Sequence, residues 1–68
     1  MTLEKRSVSL AGHRTSVALE PEFWAALVNA AEQRGQSLAG LVTEIDAARD
    51  PARPLSSALR VFALLWST

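Results

Sequence analysis

The hydrophobic period of this chain changes at Glu20-Pro21-Glu22, from alternation before it to helical spacing after it. Apolar and polar residues alternate over residues 7–10 and again over residues 15–19, as in half-buried strands. Proline suits the first position of a helix, and acidic residues there favour the positive end of the helix dipole. The sequence therefore predicts a short β element followed by helices.

Gly12 interrupts the alternating region. A glycine at this point makes the two stretches either the arms of a hairpin or one strand re-aimed by a bulge. We expect a ribbon over about residues 6–19, with one apolar face and one polar face. Alternate side chains of its second stretch point to opposite sides, with Val17 and Leu19 on one side and Arg14, Ser16 and Ala18 on the other.

Three helices are expected at about residues 21–34, 37–48 and 56–66. Gly35 is suited to end the first helix, Ser37 to cap the second and Ser56 to cap the third. The second helix carries apolar residues at i, i+3, i+4 and i+7, which are Leu38, Leu41, Val42 and Ile45.

The small size of the chain favours association with a second copy. A chain of 68 residues has room for one domain, 1–68, and buries only about 60% of the surface that its unfolded form exposes. It contains no cysteine, so neither a disulfide nor a thiolate metal site can add stability. We therefore expect a shared dimer core, formed by Val17, Leu19, Trp24, Leu38, Leu41, Val42 and Ile45.

Charge is unevenly placed, although the formal net charge is zero. Residues 1–19 carry three cations against one carboxylate, residues 20–48 one against five, and residues 49–68 three against one. The basic N-terminal part permits a polyanionic partner, whereas the zero total predicts weak non-specific attraction. Lys5 and Arg6 are either a disordered tail or an arm that contacts phosphate.

Several function classes are disfavoured by what the chain contains. An enzyme is not expected, because there is no cysteine, one histidine and no acid pair with a reason to face one cleft. That histidine, His13, is more typical of a turn than of a metal ligand, and we expect neither metal nor cofactor.

The longest strongly apolar stretch, residues 61–66, is far shorter than the ~20 residues of a membrane-spanning helix. No apolar run of a secretory signal follows the charged start, so we expect a cytoplasmic protein.

The order of strand, helix, glycine-containing turn and helix resembles the ribbon-helix-helix regulators typified by the Arc and methionine repressors. This similarity covers about residues 14–48 and includes the turn at residues 34–37. Residues 11–17, the Phe23-Trp24 pair and residues 55–62 resemble, over nearly the whole chain, a bacterial ribbon-helix-helix subgroup with a third helix. The resemblance implies a mainly α fold with a short β-ribbon, an intertwined homodimer and an extra C-terminal helix.

The resemblance also implies a DNA-binding transcriptional regulator, or repressor, whose paired antiparallel strands from two copies enter the major groove. The outward positions of the ribbon are then base readers, which are Arg14, Ser16 and Ala18 here. The start of the second helix anchors phosphate, which assigns that role to Gln36, Ser37 and Leu38. Ala18 stands where the family commonly has a long polar side chain.

Two alternatives remain open from the sequence. One is an antitoxin that holds a toxin or another protein partner through Ser56–Trp66, although this segment looks self-structured. The other is a protein-interaction module that keeps the fold and has lost DNA binding. Zero net charge and Ala18 favour the module, whereas Arg14 and Ser16 favour DNA binding.

Overall fold

The computed structural model of the chain describes residues 2–66, so residues 1, 67 and 68 of the predicted domain lie outside the described part. Five elements follow one another: β1 (Glu4–Leu10), β2 (His13–Leu19), α1 (Pro21–Gln33), α2 (Leu38–Ala48) and α3 (Leu55–Trp66). The predicted order of a short β-ribbon followed by three helices is confirmed. The ribbon begins two residues earlier than expected, and each helix boundary lies within one residue of its predicted position.

The ribbon is an antiparallel hairpin closed by a two-residue turn. The turn residues Ala11 and Gly12 both have positive φ, 50° and 84°. Positive φ at both central residues gives a turn whose twist matches that of the paired strands. Gly12 therefore belongs to a hairpin and not to a bulge. Both strands come from one chain, whereas the family resemblance implies a ribbon with one strand from each of two copies.

The junction of β2 and α1 is held by buried side chains on either side of Glu20. Glu20 is extended and precedes Pro21, the first residue of the helix. Leu19 and Trp24 are 0% and 1% exposed. Apolar residues at these two positions fix the angle at which a chain enters a helix.

The turn between α1 and α2 is closed by backbone hydrogen bonds around Gly35. Gly35 has a φ of 67°. Its N–H donates to the Glu32 carbonyl at 3.1 Å, and the N–H of Gln36 donates to the Ala31 carbonyl at 2.9 Å. This pair of bonds is the Schellman motif, which satisfies the last carbonyls of a helix. The predicted glycine stop is confirmed.

The start of α2 is capped by Ser37, as predicted. The Ser37 hydroxyl oxygen accepts a hydrogen bond from the backbone N–H of Gly40 at 3.0 Å. A Cβ atom on Gly40 would lie 3.1 Å from this same oxygen. The absence of a side chain at Gly40 therefore leaves room for the cap.

The predicted cap of α3 is wrong. The helix begins at Leu55, and the N–H of Ala58 donates to the Pro54 carbonyl at 3.1 Å. Because Pro54 supplies the first helical acceptor, it occupies the position before the helix. Ser56 is then already inside the first turn.

The core is formed by the inner face of the ribbon and by all three helices. β1 packs against α2, and β2 packs against α3. Most of the side chains expected at a dimer core are buried within the single chain, namely Val17, Leu19, Trp24, Leu41 and Val42, while Leu38 and Ile45 are partly buried against them. None of the helices within residues 2–66 is long and apolar enough to cross a membrane.

The Ser37 cap leads to a stability prediction. Ser37→Ala is expected to lower the free energy of unfolding by about 1 kcal/mol, because it removes the acceptor for an N–H of the first turn. Urea unfolding at fixed protein concentration measures the change. Ser56→Ala is the matched control, since the Ser56 side chain makes no hydrogen bond to any described residue. An equal loss in the two variants contradicts this assignment of the caps.

Candidate nucleic-acid interface

Six side chains share the face of the ribbon that points away from the helices. The strand register pairs Lys5 with Ala18, Ser7 with Ser16, and Ser9 with Arg14. Directly paired residues lie on the same side of a sheet, and the other side carries the buried Val8, Val17 and Leu19. We call the six residues the outer ribbon face: Lys5, Ser7, Ser9, Arg14, Ser16 and Ala18.

The outer ribbon face is exposed and has a single sign of charge. Ala18 is half-buried, and the other five residues are exposed. The two charged members, Lys5 and Arg14, are both cations, and neither forms an ion pair with a residue in the described range 2–66. The face therefore presents two cations and three hydroxyls in a strip two strands wide.

Sequence reasoning placed Arg14, Ser16 and Ala18 on this face but missed Ser7 and Ser9. Those two residues belong to β1, and their side follows from the hairpin register. The signal was the alternation of residues 7–10 together with Gly12. A two-residue turn at Gly12 fixes which residues of the two arms lie opposite one another.

Arg6, which was expected to contact phosphate together with Lys5, lies on the opposite side of β1. Its guanidinium Nε donates to the Glu4 carboxylate at 2.6 Å, and its guanidinium carbon Cζ lies 5.1 Å from the centre of the Trp24 ring. The Trp24 indole N–H in turn donates to the Glu4 backbone carbonyl at 2.7 Å. Because neighbouring strand residues point to opposite sides, Arg6 helps to hold β1 on α1 while Lys5 faces outward.

The start of α2, the other expected phosphate site, is already occupied by contacts within the chain. The Ser37 oxygen serves as the helix cap, and Leu38 is half-buried. The Gln36 amide accepts from Arg34 at 2.9 Å and donates to Glu44 at 3.2 Å. A phosphate contact here is left to backbone N–H groups of the first turn, which have no helical acceptor.

Glu20 and Arg60 tie the end of β2 to α3. The Arg60 guanidinium Nε donates to the Glu20 carboxylate at 3.0 Å, and the Arg60 Cζ atom lies 6.0 Å from the Phe23 ring centre. The backbone N–H of Glu20 and the Arg60 guanidinium lower the pKa of the Glu20 carboxyl below its usual 4.5. The pair therefore supports the ribbon without belonging to the outer ribbon face.

His13 lies at the turn end of β2, opposite Leu10, and is exposed. This position agrees with its interpretation as a residue next to a turn. Within residues 2–66 no group of three or more His, Cys, Asp or Glu side chains is placed to hold a metal ion.

Comparison with known proteins identifies a domain family. A family model described as a ribbon-helix-helix domain matches residues 3–67. No curated protein and no solved structure gives a significant match to the chain.

The Glu20–Arg60 pair leads to a pH prediction. A carboxyl whose folded pKa is lowered stabilises the fold above its unfolded pKa, and this contribution is lost as the pH falls through the folded pKa. Glu20→Gln is therefore expected to be less stable than wild type at neutral pH. It is expected to lose less stability than wild type as the pH falls below about 4.5. Thermal unfolding from neutral to acid pH measures both curves.

The matched control is Glu22→Gln, two residues further along the chain. Glu22 is exposed and forms no ion pair with a described residue. Glu22→Gln is expected to lose stability at acid pH in the same way as wild type, more closely than Glu20→Gln does. Parallel curves for wild type and Glu20→Gln over the whole pH range contradict the prediction.

Proposed function

Because the chain belongs to the ribbon-helix-helix domain family, a regulatory DNA-binding fold, we propose that it is a sequence-specific transcriptional regulator whose ribbon enters the major groove. The observation that carries this proposal is the outer ribbon face. It combines two cations and three serines, and it contains no carboxylate to repel phosphate.

A two-stranded ribbon with short outward side chains suits the major groove. The groove of B-DNA is about 12 Å wide and admits a two-stranded β-ribbon. Three of the six outward side chains are serines and a fourth is an alanine. Side chains this short let the strands approach the base edges closely, and serine can both donate and accept a hydrogen bond there.

Individual outward residues receive roles by their chemistry. Arg14 can form a bidentate pair with guanine, Ser16 can donate or accept, and the Ala18 methyl can contact a thymine methyl. Lys5 lies beside Ala18 at the open end of the hairpin, where its ammonium can contact phosphate. Ser9 lies beside Arg14 and Ser7 beside Ser16, so both add hydroxyls to the proposed reading surface.

We further propose that the chain acts as a homodimer in the cytoplasm of a bacterium and binds a pseudo-palindromic operator. Members of the family generally bind DNA as dimers. A twofold dimer carries two copies of the outer ribbon face, and this symmetry matches an inverted repeat.

An interaction module without DNA binding is the second candidate. The observation that favours it is Ala18, which is half-buried and has no polar group on its side chain to read a base. Lys5 and Arg14 favour DNA, because neither has a carboxylate partner among the residues that the structure describes, and such an accessible cation is available to phosphate.

Selection of bound sequences from random duplex DNA separates the two candidates. The regulator is expected to enrich an inverted repeat, because each half-site meets the same set of outward side chains. The Arg14→Ala variant is the control in the same selection. Any sequence that this variant still enriches is bound by a surface other than the one that contains Arg14. Failure of the folded wild-type protein to enrich any sequence favours the interaction module.

Substitutions at Arg14 test the ribbon itself. Arg14→Ala is expected to abolish operator binding, and Arg14→Lys is expected to keep weak binding to any duplex while losing discrimination at guanine. Fluorescence anisotropy over a range of salt concentrations measures both effects, since each phosphate contact contributes about −0.9 to the slope of log K against log salt.

The matched control for Arg14 is Arg6→Ala, an arginine on the other side of the same ribbon. This variant is expected to keep the affinity and salt slope of wild type, provided that circular dichroism shows it folded. Unchanged DNA binding by Arg14→Ala, or equal losses at Arg6 and Arg14 in folded protein, contradicts the proposed reading face.

A further inference from the structure

We propose that the groove between α2 and α3 binds a free α-amino acid with a large apolar side chain. In this site the ligand side chain lies in the groove, its carboxylate contacts Arg53 and its ammonium contacts Asp50. The site goes beyond the proposed function, because it shares no residue with the outer ribbon face and requires neither DNA nor a second copy. The proposal rests on the lining of the groove and on the two charged side chains where α2 and α3 are joined.

The groove has the size and the lining of a small-molecule site. Its volume is about 460 Å³, within the range of about 300–1,000 Å³ that is typical of ligand pockets. The residues that line it on α3 follow at i, i+3, i+4 and i+7, so they form one face of the helix. The apolar residues of the lining are Ile45, Ala48, Ala58, Val61, Phe62 and Leu65.

Two alanines and two larger side chains shape the contact surface of the groove. Ala48 and Ala58 are small, so a ligand can approach the backbones of both helices between them. Ile45 and Phe62 are only partly buried in the chain. They therefore retain apolar surface that a ligand side chain can cover, and the removal of this surface from water favours binding.

Asp50 and Arg53 lie at the two ends of the turn that follows α2. The backbone N–H of Arg53 donates to the Asp50 carbonyl at 2.9 Å. A hydrogen bond between the first and fourth residues is that of a β-turn, which brings their Cα atoms within about 7 Å of each other. The turn therefore holds a carboxylate and a guanidinium close together, and both residues line the groove.

Both of these charged groups have unused hydrogen-bonding capacity. Neither Asp50 nor Arg53 forms an ion pair within residues 2–66. The Arg53 Nη1 donates to the Ser57 hydroxyl at 3.3 Å, which leaves most of its five N–H donors for a ligand. One Asp50 carboxylate oxygen accepts from the Ala52 N–H at 2.9 Å, and its other oxygen is available to an ammonium.

The remaining charges of the groove are neutralised within the chain. Arg34 is paired with Glu44 and Arg49 with Asp46, each at 2.8 Å. A ligand of one charge sign would therefore leave either Asp50 or Arg53 without a partner beside its apolar part, whereas a zwitterion can pair with both. An α-amino acid carries its carboxylate, ammonium and side chain on one carbon atom, so its charged groups can contact the turn while its side chain enters the groove.

An amide NMR titration of the full chain with L-phenylalanine tests the site. Because the ligand is small and the groove is open, we expect a dissociation constant on the order of 0.1–1 mM. Two matched ligands each lack one charge: 2-phenylethylamine has no carboxylate, and 3-phenylpropanoate has no ammonium. Each is expected to bind about fivefold more weakly than L-phenylalanine, because each loses one charged contact at an exposed position.

Substitutions at the turn assign each charge of the ligand to one side chain. Arg53→Gln is expected to bind L-phenylalanine and 2-phenylethylamine equally while still preferring L-phenylalanine over 3-phenylpropanoate. Asp50→Asn is expected to bind L-phenylalanine and 3-phenylpropanoate equally while still preferring L-phenylalanine over 2-phenylethylamine. Asparagine retains a side-chain oxygen that can accept from the Ala52 N–H, so the turn is preserved.

Neighbouring alanines on α2 test the position of the ligand side chain. Ala48→Leu is expected to weaken the binding of all three ligands at least tenfold, because the larger side chain fills the groove. Ala47→Leu is the matched control and is expected to bind as wild type, since Ala47 is also exposed but does not line the groove. Circular dichroism checks that both variants are folded.

Three outcomes overturn the proposal. One is a folded wild-type chain whose spectrum does not change with L-phenylalanine at about 10 mM, well above the expected dissociation constant. Another is equal binding of the three ligands, which would show that the two charges are not recognised. The third is an equal effect of Ala48→Leu and Ala47→Leu, which would place the ligand elsewhere. All of these measurements are made without DNA, so a chain that enriches an operator but binds no amino acid keeps the proposed function and loses this site.

Discussion

The Ala11–Gly12 turn fixes the register of β1 on β2, and this register decides which side of the ribbon each side chain occupies. A shift by one residue would bring Arg14 and Ser16 towards the helices and move Val17 out of the core. Ala11 takes a left-handed φ of 50° in this turn, which costs a non-glycine residue about 1–2 kcal/mol. Burial of one valine or leucine side chain stabilises the fold by about 1.5–3 kcal/mol. The ribbon buries Val8, Val17 and Leu19, so the correct register outweighs the local strain.

The parts of the fold that follow from local chemistry were predictable from the sequence. Pro21 begins α1, Gly35 ends it with positive φ, and Ser37 caps α2. The errors came from features that depend on neighbours in space. Ser56 has the chemistry of a cap, but the Pro54 carbonyl begins the helix one residue earlier.

Only the part of the candidate site that lies on β2 was predictable from the alternation of polar and apolar residues. Arg14 and Ser16 follow from the pattern of β2 alone, whereas Ser7 and Ser9 require the pairing of β1 with β2. Lys5 and Arg6 look equivalent as a basic pair in the sequence. Once they are part of a strand, one faces outward and the other packs on Trp24, a distinction that composition does not contain.

The cations of this chain, whose net charge is zero, have two different roles. In the described part of the chain, four arginines are paired with carboxylates and hold parts of the scaffold together: Arg6, Arg34, Arg49 and Arg60. Each of these pairs cancels in the total and has little effect at a distance. Lys5 and Arg14 form no ion pair within residues 2–66 and lie on one strip of surface, so the local field there is positive although the sum is zero.

A ribbon whose two strands belong to one chain forms in a unimolecular step. Closing a two-residue turn is fast and does not depend on how many copies are present. A ribbon assembled from two chains instead exists only where protein concentration exceeds the dissociation constant of the dimer. On the proposed function, each newly made copy reaches DNA with its reading element already formed, so one copy can recognise a half-site alone and the second copy binds the other half-site.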